Sequence, residues 1–313
     1  MAAPLISICI PSYERTQYLD RLMASIEQQT FRDFEVIFTD DSKTDKIKNY
    51  LESYKANFPL YYYKNTPSLG TSKNMVEGVR YANSNWIKMI HDDDFFADKN
   101  ALMELSKVCQ MDIKFAFSGY NEYHENSGKC VNRALSQDKY ESIKRNLSIL
   151  FANNLIGCPS VIMMHKSVTE FFDTKLNWFT DVEYYYRILG KLNSAYISKP
   201  LINISYNDSS ITSAIHKNPK IVIPEAIYLL NLYGNKLTHS LKTYDCWWRV
   251  FRNLGIRTEK DIQQYVPDAK IPKFIISMLK VQRLITPKRL KNGVISKSFM
   301  AFSYITNKLT NNI

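Results

Sequence analysis

Short apolar runs and helical spacing exchange regularly along the first part of the chain. LISICI (5–10) is a β-branched run stopped by Pro11, and Tyr18 to Gln29 then sets Leu19, Leu22, Met23 and Ile26 on one helical face. FEVIFT (34–39) predicts a second buried strand, Ile47 to Tyr54 a helix, LYYYKN (60–65) a third strand, Ser72 to Ala82 a helix and WIKMI (86–90) a fourth strand. Alternation of this kind predicts βαβ units, and therefore an α/β chain whose mainly parallel central sheet is flanked by helices. From about residue 111 the alternation loosens. KFAFSGYNEYH (114–124) reads as a strand pair, Lys139 to Asn153 as a helix, SVIMMHK (160–166) as a strand and Phe179 to Leu189 as a helix opening at Asp181. The remainder reads as mostly helical, broken by Pro219, Pro224, Pro267, Pro272 and Pro287.

Composition adds little until it is resolved along the chain. At 313 residues, 45% hydrophobic and 23% charged, the sequence is globular rather than disordered. Its formal charge of +11 is local: residues 236–313 hold 15 basic and 4 acidic side chains, whereas residues 1–235 hold 26 of each, and no acidic residue follows Asp268. A neutral body with a basic end argues against a nucleic-acid-coating protein and suggests a local anionic partner. The N-terminal apolar stretch lacks a basic flank and is interrupted by Pro11, so no cleaved secretory signal is expected. The five cysteines, Cys9, Cys109, Cys130, Cys158 and Cys246, are scattered and read as reduced thiols rather than a disulfide framework or zinc site.

In parallel sheets ligands bind beyond the carboxyl ends of the strands, so the residues just after each strand carry the candidate chemistry. Three carboxylate groups stand there: Asp40 with Asp41, the triplet Asp92, Asp93 and Asp94, and Asp181 with Glu183. Carboxylates this close raise one another's pKa unless a cation or hydrogen-bond donors neutralise them. A divalent ion is the simplest neutraliser of HDDDF, and an oxygen donor set suits Mg²⁺ or Mn²⁺, leaving room for diphosphate oxygens. A solvated acidic loop is the plainer reading of the same triplet. Neither GxGxxG nor GxxxxGK[ST] occurs, so a nucleotide bound here is held through base, ribose and metal.

The run PLISICIPSYERTQYLDRLMASIEQQTFRDFEVIFTDDSKTD, continued by NTPSLGTSKNMVEGVRYANSNWIKMIHDDDFFADKNAL, resembles the opening of family 2 glycosyltransferases of the GT-A fold. The likeness is close over about residues 4–105 and looser to about residue 213. It implies transfer of a sugar from a nucleotide diphosphate donor, with UDP the expected nucleotide, by a metal-dependent inverting hexosyltransferase using Mn²⁺ or Mg²⁺. Carried over by motif, Pro11, Ser12 and Tyr13 line the nucleobase pocket, Tyr13 by stacking, and Glu14 and Arg15 complete that turn. Asp41 or its neighbour Asp40 accepts from the base, and Lys73 and Asn74 stand beside the diphosphate. His91 replaces the usual first Asp of the acidic motif, which moves the ribose contact to Asp92. Asp93 keeps the metal-binding position, with Asp94 as the second candidate ligand. FTDVEYYYRIL (179–189) resembles the family's base-bearing helix, in which Asp181 is the general base and Arg187 supports the site. A helix cap is the plainer role for Asp181.

The resemblance implies a division into a nucleotide-sugar-binding half (1–110), an acceptor-binding half (111–235) and a basic, helical C-terminal appendage (236–313). In PKFIISMLKVQRLITPKRLK (272–291), Lys273, Ser277, Lys280 and Arg283 form one stripe beside Phe274, Ile275, Met278, Leu279 and Ile285. Such a helix suits an anionic bilayer surface or docks on the catalytic domain with its lysines outward. Trp247 and Trp248 beside Arg249 and Arg252 pose the same choice between a headgroup boundary and packing. Enzymes similar to this chain extend saccharides on polyprenyl diphosphate carriers such as O-antigen or capsule repeats. That implies a lipid-linked saccharide acceptor, a peripheral place on the inner face of the cell membrane through residues 270–313, and no nucleic-acid partner. A catalytically silent sugar-nucleotide or polysaccharide binding module of the same fold is the alternative.

Overall fold

The computed structural model describes residues 3–206, 215 and 217–313, so residues 207–213, the last stretch of the family resemblance, lie outside the described residues. By their contacts the described residues form two units, one of residues 3–147 and 155–206, the other of residues 148–154 and the described part of 208–313. Residues 217–235, grouped above with the acceptor half, thus sit by contacts with the C-terminal helices.

The first unit begins β1 (Ile6–Ser12), α1 (Leu19–Glu27), β2 (Phe34–Asp40), α2 (Lys46–Ser53), β3 (Leu60–Lys64), α3 (Thr71–Tyr81) and β4 (Trp86–Met89). All seven residues of β2 are buried, as a strand covered on both faces requires, and α1 buries Leu19, Leu22, Met23 and Ile26, the face its periodicity marks. It continues with β5 (Phe95–Phe96), α4 (Ala101–Ser106), β6 (Phe115–His124), β7 (Lys129–Asn132), α5 (Gln137–Arg145), β8 (Ile162–His165), α6 (Thr180–Leu189) and β9 (Ser194–Tyr206). Among the described residues these strands form one sheet in the order β3-β2-β1-β4-β8-β6-β9-β5, with β7 paired to β6. Strands β1 to β4 pair in parallel, as do β6 and β9, while β8 runs antiparallel to β4 and β6.

Two local readings change. Residues 115–124 are one strand rather than a pair: the β6–β9 register shifts on either side of Gly119 because β9 carries the extra residues, so the glycine stands opposite a bulge, close to the Lys199 carbonyl, instead of in a turn. The expected helix over Lys139 to Asn153 stops at Arg145, where Asn146 leaves helical geometry while its N–H still caps Ser142 and Ile143 carbonyls. A short helical piece, Ile149–Ala152, follows and belongs to the second unit.

The second unit is helical, with its longer helices at Pro219–Tyr233, Leu241–Asn253, Lys273–Arg283 and Gly293–Leu309. Trp247 and Trp248 are fully buried in it, their indole N–H groups donating to the Leu237 carbonyl and the Ser296 hydroxyl, which excludes a headgroup boundary for either. The apolar side of Lys273–Arg283 is likewise spent on packing, since Phe274, Ile275, Met278 and Leu279 are buried and Lys273, Lys280 and Arg283 are exposed. Gly293–Leu309 is inverted. It buries Ser296, Ser303 and Asn307 and leaves Val294, Phe302, Ile305 and Leu309 between 56% and 81% exposed. Its buried polar stripe is satisfied: Ser303 shares a hydrogen bond of 2.7 Å with the Tyr244 hydroxyl, and Asn307 Nδ2 donates to that hydroxyl at 2.9 Å.

Candidate active site

Chain order in the parallel part of the sheet reverses at β1, which is flanked by β2 and β4, so the residues leaving these strands converge on one crevice. The turn after β1 meets the acidic loop after β4. Tyr13 N–H donates to Asp92 Oδ2 at 3.3 Å, and the Arg15 guanidinium bridges two carboxylates, Nη2 to Asp92 Oδ1 at 2.5 Å and Nη1 to Asp93 Oδ2 at 2.7 Å. The Tyr13 ring is 48% exposed beside this bridge and is free to stack on a planar ligand. Burial pushes the Asp92 carboxyl up to about 7, with Arg15 pulling the other way and Asp93 adding to the rise. His91 is kept neutral by burial, and its Nε2 is buried without a hydrogen-bond partner among the described residues.

Behind the bridge the loop is pinned from distant parts of the first unit. Asp94 accepts from Ser160 Oγ at 2.5 Å, Ser205 N–H at 2.9 Å and Cys158 Sγ at 3.3 Å, which anchors the loop, and its carboxylate lies with the His91 ring nitrogen and the Cys158 sulfur in a cluster whose ligand atoms are all within 4.8 Å of one another. Ser205 Oγ also holds the Asp93 carbonyl, as does Arg21 Nη2 at 3.1 Å, while the Arg21 guanidinium pairs with Glu125 and lies 4.3 Å from the Phe95 ring centre. Lys88, at the centre of β4, is fully buried. Its ammonium donates to the carbonyls of Met89, Ser160 and Ile162, and burial lowers its pKa to about 7, with Cys158 and Asp94 pulling the other way.

The carboxylates after β2 are already engaged. Asp40 accepts from Tyr62 Oη at 2.7 Å, Lys64 Nζ at 3.0 Å and Ser42 N–H at 2.8 Å. Asp41 accepts from Asn65 Nδ2, Ser68 Oγ and the N–H groups of Leu69 and Gly70, at 2.6 to 3.1 Å. Burial opposes its ionisation, but those donors outweigh burial and hold Asp41 below the ordinary carboxylate range. The loop they fold ends at Gly70, whose φ of +85° suits glycine where α3 begins. Asn74 ties α3 to this edge, donating to the Ser12 carbonyl at 3.3 Å and accepting from Asn65, whereas Lys73 on the same turn is exposed, with no ion pair among the described residues. Glu14 adopts φ of +59° and gives its carboxylate to Lys43 N–H, Thr44 N–H and Thr44 Oγ1. Pro11 and Ser12 close β1, and Ser12 Oγ is buried with no partner among the described residues.

Asp181 lies in the first turn of α6 but caps nothing; the N-cap position is Phe179, without a side-chain capping bond. No hydrogen bond or ion pair engages the Asp181 carboxylate among the described residues, and burial alone pushes its pKa up to about 7. A helix N-terminus favours the ionised form; here burial wins. Its charge reaches Cys158, whose thiol is raised well above its ordinary value by burial, by Asp94 and by Asp181, so the α6 terminus and the acidic loop share one neighbour. Arg187 pairs with Glu183 at 2.9 Å and Glu170 at 3.2 Å and holds the Phe171 carbonyl, which fixes α6 in place.

Asp92 and Asp93 offer the hard carboxylate oxygens that Mg²⁺ and Mn²⁺ take, and a cationic group already bridges them, so this donor set fits a divalent ion if Arg15 yields. The crevice thus brings together Tyr13, Arg15, Asp92, Asp93 and, through Cys158, Asp181. Arg15 as a bridge, Lys88, Cys158, Ser160 and Ser205 are additions to the residues that the sequence singled out. Only Lys88 carries a local signal, a charge in the middle of an apolar strand.

A family model described as glycosyl transferase family 2 matches residues 7–170. Abequosyltransferase RfbV of Salmonella typhimurium is 34% identical over 114 residues, 35% of this chain and 34% of that protein. UDP-Glc:alpha-D-GlcNAc-diphosphoundecaprenol beta-1,3-glucosyltransferase WfgD of Escherichia coli is 24% identical over 162 residues, 51% of this chain and 60% of that one. Both alignments therefore span less than two thirds of the relative. The crystal structure of S. aureus TarS 1-349 in complex with UDP-GlcNAc has a TM-score of 0.56 at 12% identity, covering 98% of this chain and 92% of that chain. This likeness is one of fold, the GT-A type α/β architecture expected from the sequence motifs.

Proposed function

The chain belongs to glycosyl transferase family 2, and from that premise we propose that it moves a sugar from a nucleotide diphosphate donor, UDP-linked by preference, to a saccharide acceptor of a bacterial surface polysaccharide. The observation that carries this reading is the Arg15-bridged pair Asp92 and Asp93 at the strand ends, with the unengaged carboxylate of Asp181 sharing their neighbourhood. Tyr13 stacks on the base, Asp92 meets the ribose, and Lys73 and Arg15 supply positive charge beside the diphosphate. Asp41 orders the loop of residues 65–70 at the edge of the base pocket. Asp181 takes the proton from the acceptor hydroxyl as the anomeric carbon is displaced with inversion, a role that suits a carboxyl near neutrality. Asp93 and Asp92 would hold Mn²⁺ or Mg²⁺, which when bound offsets the charge building on the leaving diphosphate.

The name of WfgD, with its diphosphoundecaprenol acceptor, supports a lipid-linked acceptor for this chain as well. Among the described residues no helix is long and apolar enough to cross a membrane. Surface contact is the corresponding proposal for residues 270–313, which contain no acidic side chain and expose Phe302, Ile305 and Leu309.

The test is thermal denaturation and donor hydrolysis across a panel of UDP-, dTDP- and GDP-sugars, with and without Mn²⁺. One donor class is expected to stabilise the protein by mass action and to be turned over. Stabilisation by none of them would refute a nucleotide-sugar site, and binding without turnover, even with saccharide acceptors present, would favour the silent binding module.

A further inference from the structure

The second unit contains a cavity of about 530 Å³, within the size range of small-molecule sites, well away in sequence from every residue assigned to sugar transfer. Four of its described lining residues are cationic, Lys217, Arg252, Arg257 and Lys291, and none of the described lining residues is acidic. Converging like charges are costly unless an anion joins them. None of the four has an ion pair among the described residues.

Two of these cations are held ready by neutral groups. Arg257 Nη2 donates to the carbonyls of Gln282 at 2.7 Å and Ile285 at 2.6 Å, and Arg252 Nη1 donates to Ser296 Oγ at 2.8 Å. Those bonds fix the guanidinium groups without neutralising them. Lys217 and Lys291 are exposed and free to close over a ligand. Gln282, on the same wall, is fully buried; its Nε2 donates to the Trp248 carbonyl at 3.1 Å, while its Oε1 is buried with no donor among the described residues. The wall thus combines cations that no carboxylate pairs with directly among the described residues, although Asp245 acts on Arg252 from outside the lining and Asp261 accepts from the Arg257 backbone N–H, with one acceptor lacking a described partner.

We propose that this cavity is a binding site for a phosphate ester bearing a hydroxyl, its phosphate taken by the four cations and its hydroxyl by Gln282. A glycerol phosphate meets this description, either as the soluble ester or as the headgroup of phosphatidylglycerol. Leu284 and Val294, which flank the lining segment 287–291 in the chain, are 71% and 78% exposed, so the surface beside that segment is compatible with a lipid source. The inference does not rest on sugar transfer, because every readout is binding.

The test uses the full chain. Calorimetry measures sn-glycerol 3-phosphate, and sedimentation measures vesicles of phosphatidylcholine with and without phosphatidylglycerol. Lys217→Glu with Lys291→Glu should weaken binding by more than about tenfold, the scale of losing charge-assisted contacts. Lys242→Glu, exposed but outside both the lining and residues 270–313, should change it by less than about twofold, the scale of a lone surface charge. Circular dichroism melts check that each variant is folded. Binding of the free ester assigns the site to a soluble phosphate; binding of phosphatidylglycerol vesicles alone assigns it to a headgroup. Failure to bind either source, or an equal loss in Lys242→Glu, would overturn the proposal.

Discussion

Replacing Asp181 by Asn should stabilise the protein while abolishing turnover. Burial lifts this carboxyl from an ordinary 3.8 to about 7. With the folded pKa above the unfolded one, the two states are equally protonated below pH 4. As pH rises from there to 7 the unfolded chain ionises first, and the wild-type fold loses stability throughout that window. A rise of this size is worth about 4 kcal/mol at pH 8 and roughly half of that at pH 5.5. Asp181 is partly exposed, and screening by water reduces the measurable gain to about 2 kcal/mol. Asn cannot ionise, so the variant should match the wild type near pH 4 and exceed it increasingly up to pH 7. Urea unfolding followed by circular dichroism at pH 4, 5.5 and 8 reads the difference, and donor turnover is assayed in parallel. The wild-type rate should fall on the acid side with a midpoint near pH 7, where the base becomes protonated. A stability difference independent of pH, or near-normal turnover in the variant, would refute the reasoning.

The Arg15 bridge and the Asp41 loop give two further predictions. Arg15→Gln removes the cation that competes for Asp92 and Asp93, and a charge-assisted pair of about 1.5–3 kcal/mol corresponds to Mn²⁺ binding roughly tenfold tighter without nucleotide, read by electron paramagnetic resonance of free Mn²⁺. Weaker Mn²⁺ binding in that variant would show that Arg15 does not compete with the ion. Asp41→Asn turns an amide N–H₂ toward donors that now meet a carboxylate, which should cost about 1–3 kcal/mol of stability and raise KM for the donor more than it lowers kcat. Unchanged steady-state constants would detach the loop of residues 65–70 from donor binding.

The parallel half of the sheet was legible because its information is local. Period and punctuation mark β1 to β4, and the face of α1 follows from four apolar positions. Asp92, Asp93 and Asp181 could be singled out because they follow strands or open a helix. The way they are held could not, since it depends on partners far along the chain: Arg15 against Asp92, Ser160 and Ser205 against Asp94, Arg21 against the Asp93 carbonyl. No window of sequence contains both ends of those bonds. For the same reason the motif marks Asp94 as a candidate metal ligand but does not show the donors that also make it an anchor of the loop. Gly119, opposite the bulge in β9, shows the ambiguity of glycine, which marks a turn or a close backbone approach equally well until the partner strand is known.

Hydrophobic contacts are indifferent to rotation, and a helix seated by them can roll to hide whatever is most apolar. Gly293–Leu309 has no such freedom. Its Ser296, Ser303 and Asn307 meet the Trp248 indole and the Tyr244 hydroxyl through directional bonds, and together they set its rotational phase. Rolling the helix to bury Phe302 and Ile305 would strand those buried donors and acceptors, each at a cost of about 1–3 kcal/mol. The outward display of Phe302, Ile305 and Leu309 is therefore a locked orientation. The end of the chain presents the same apolar ridge, in the same direction, in every folded molecule.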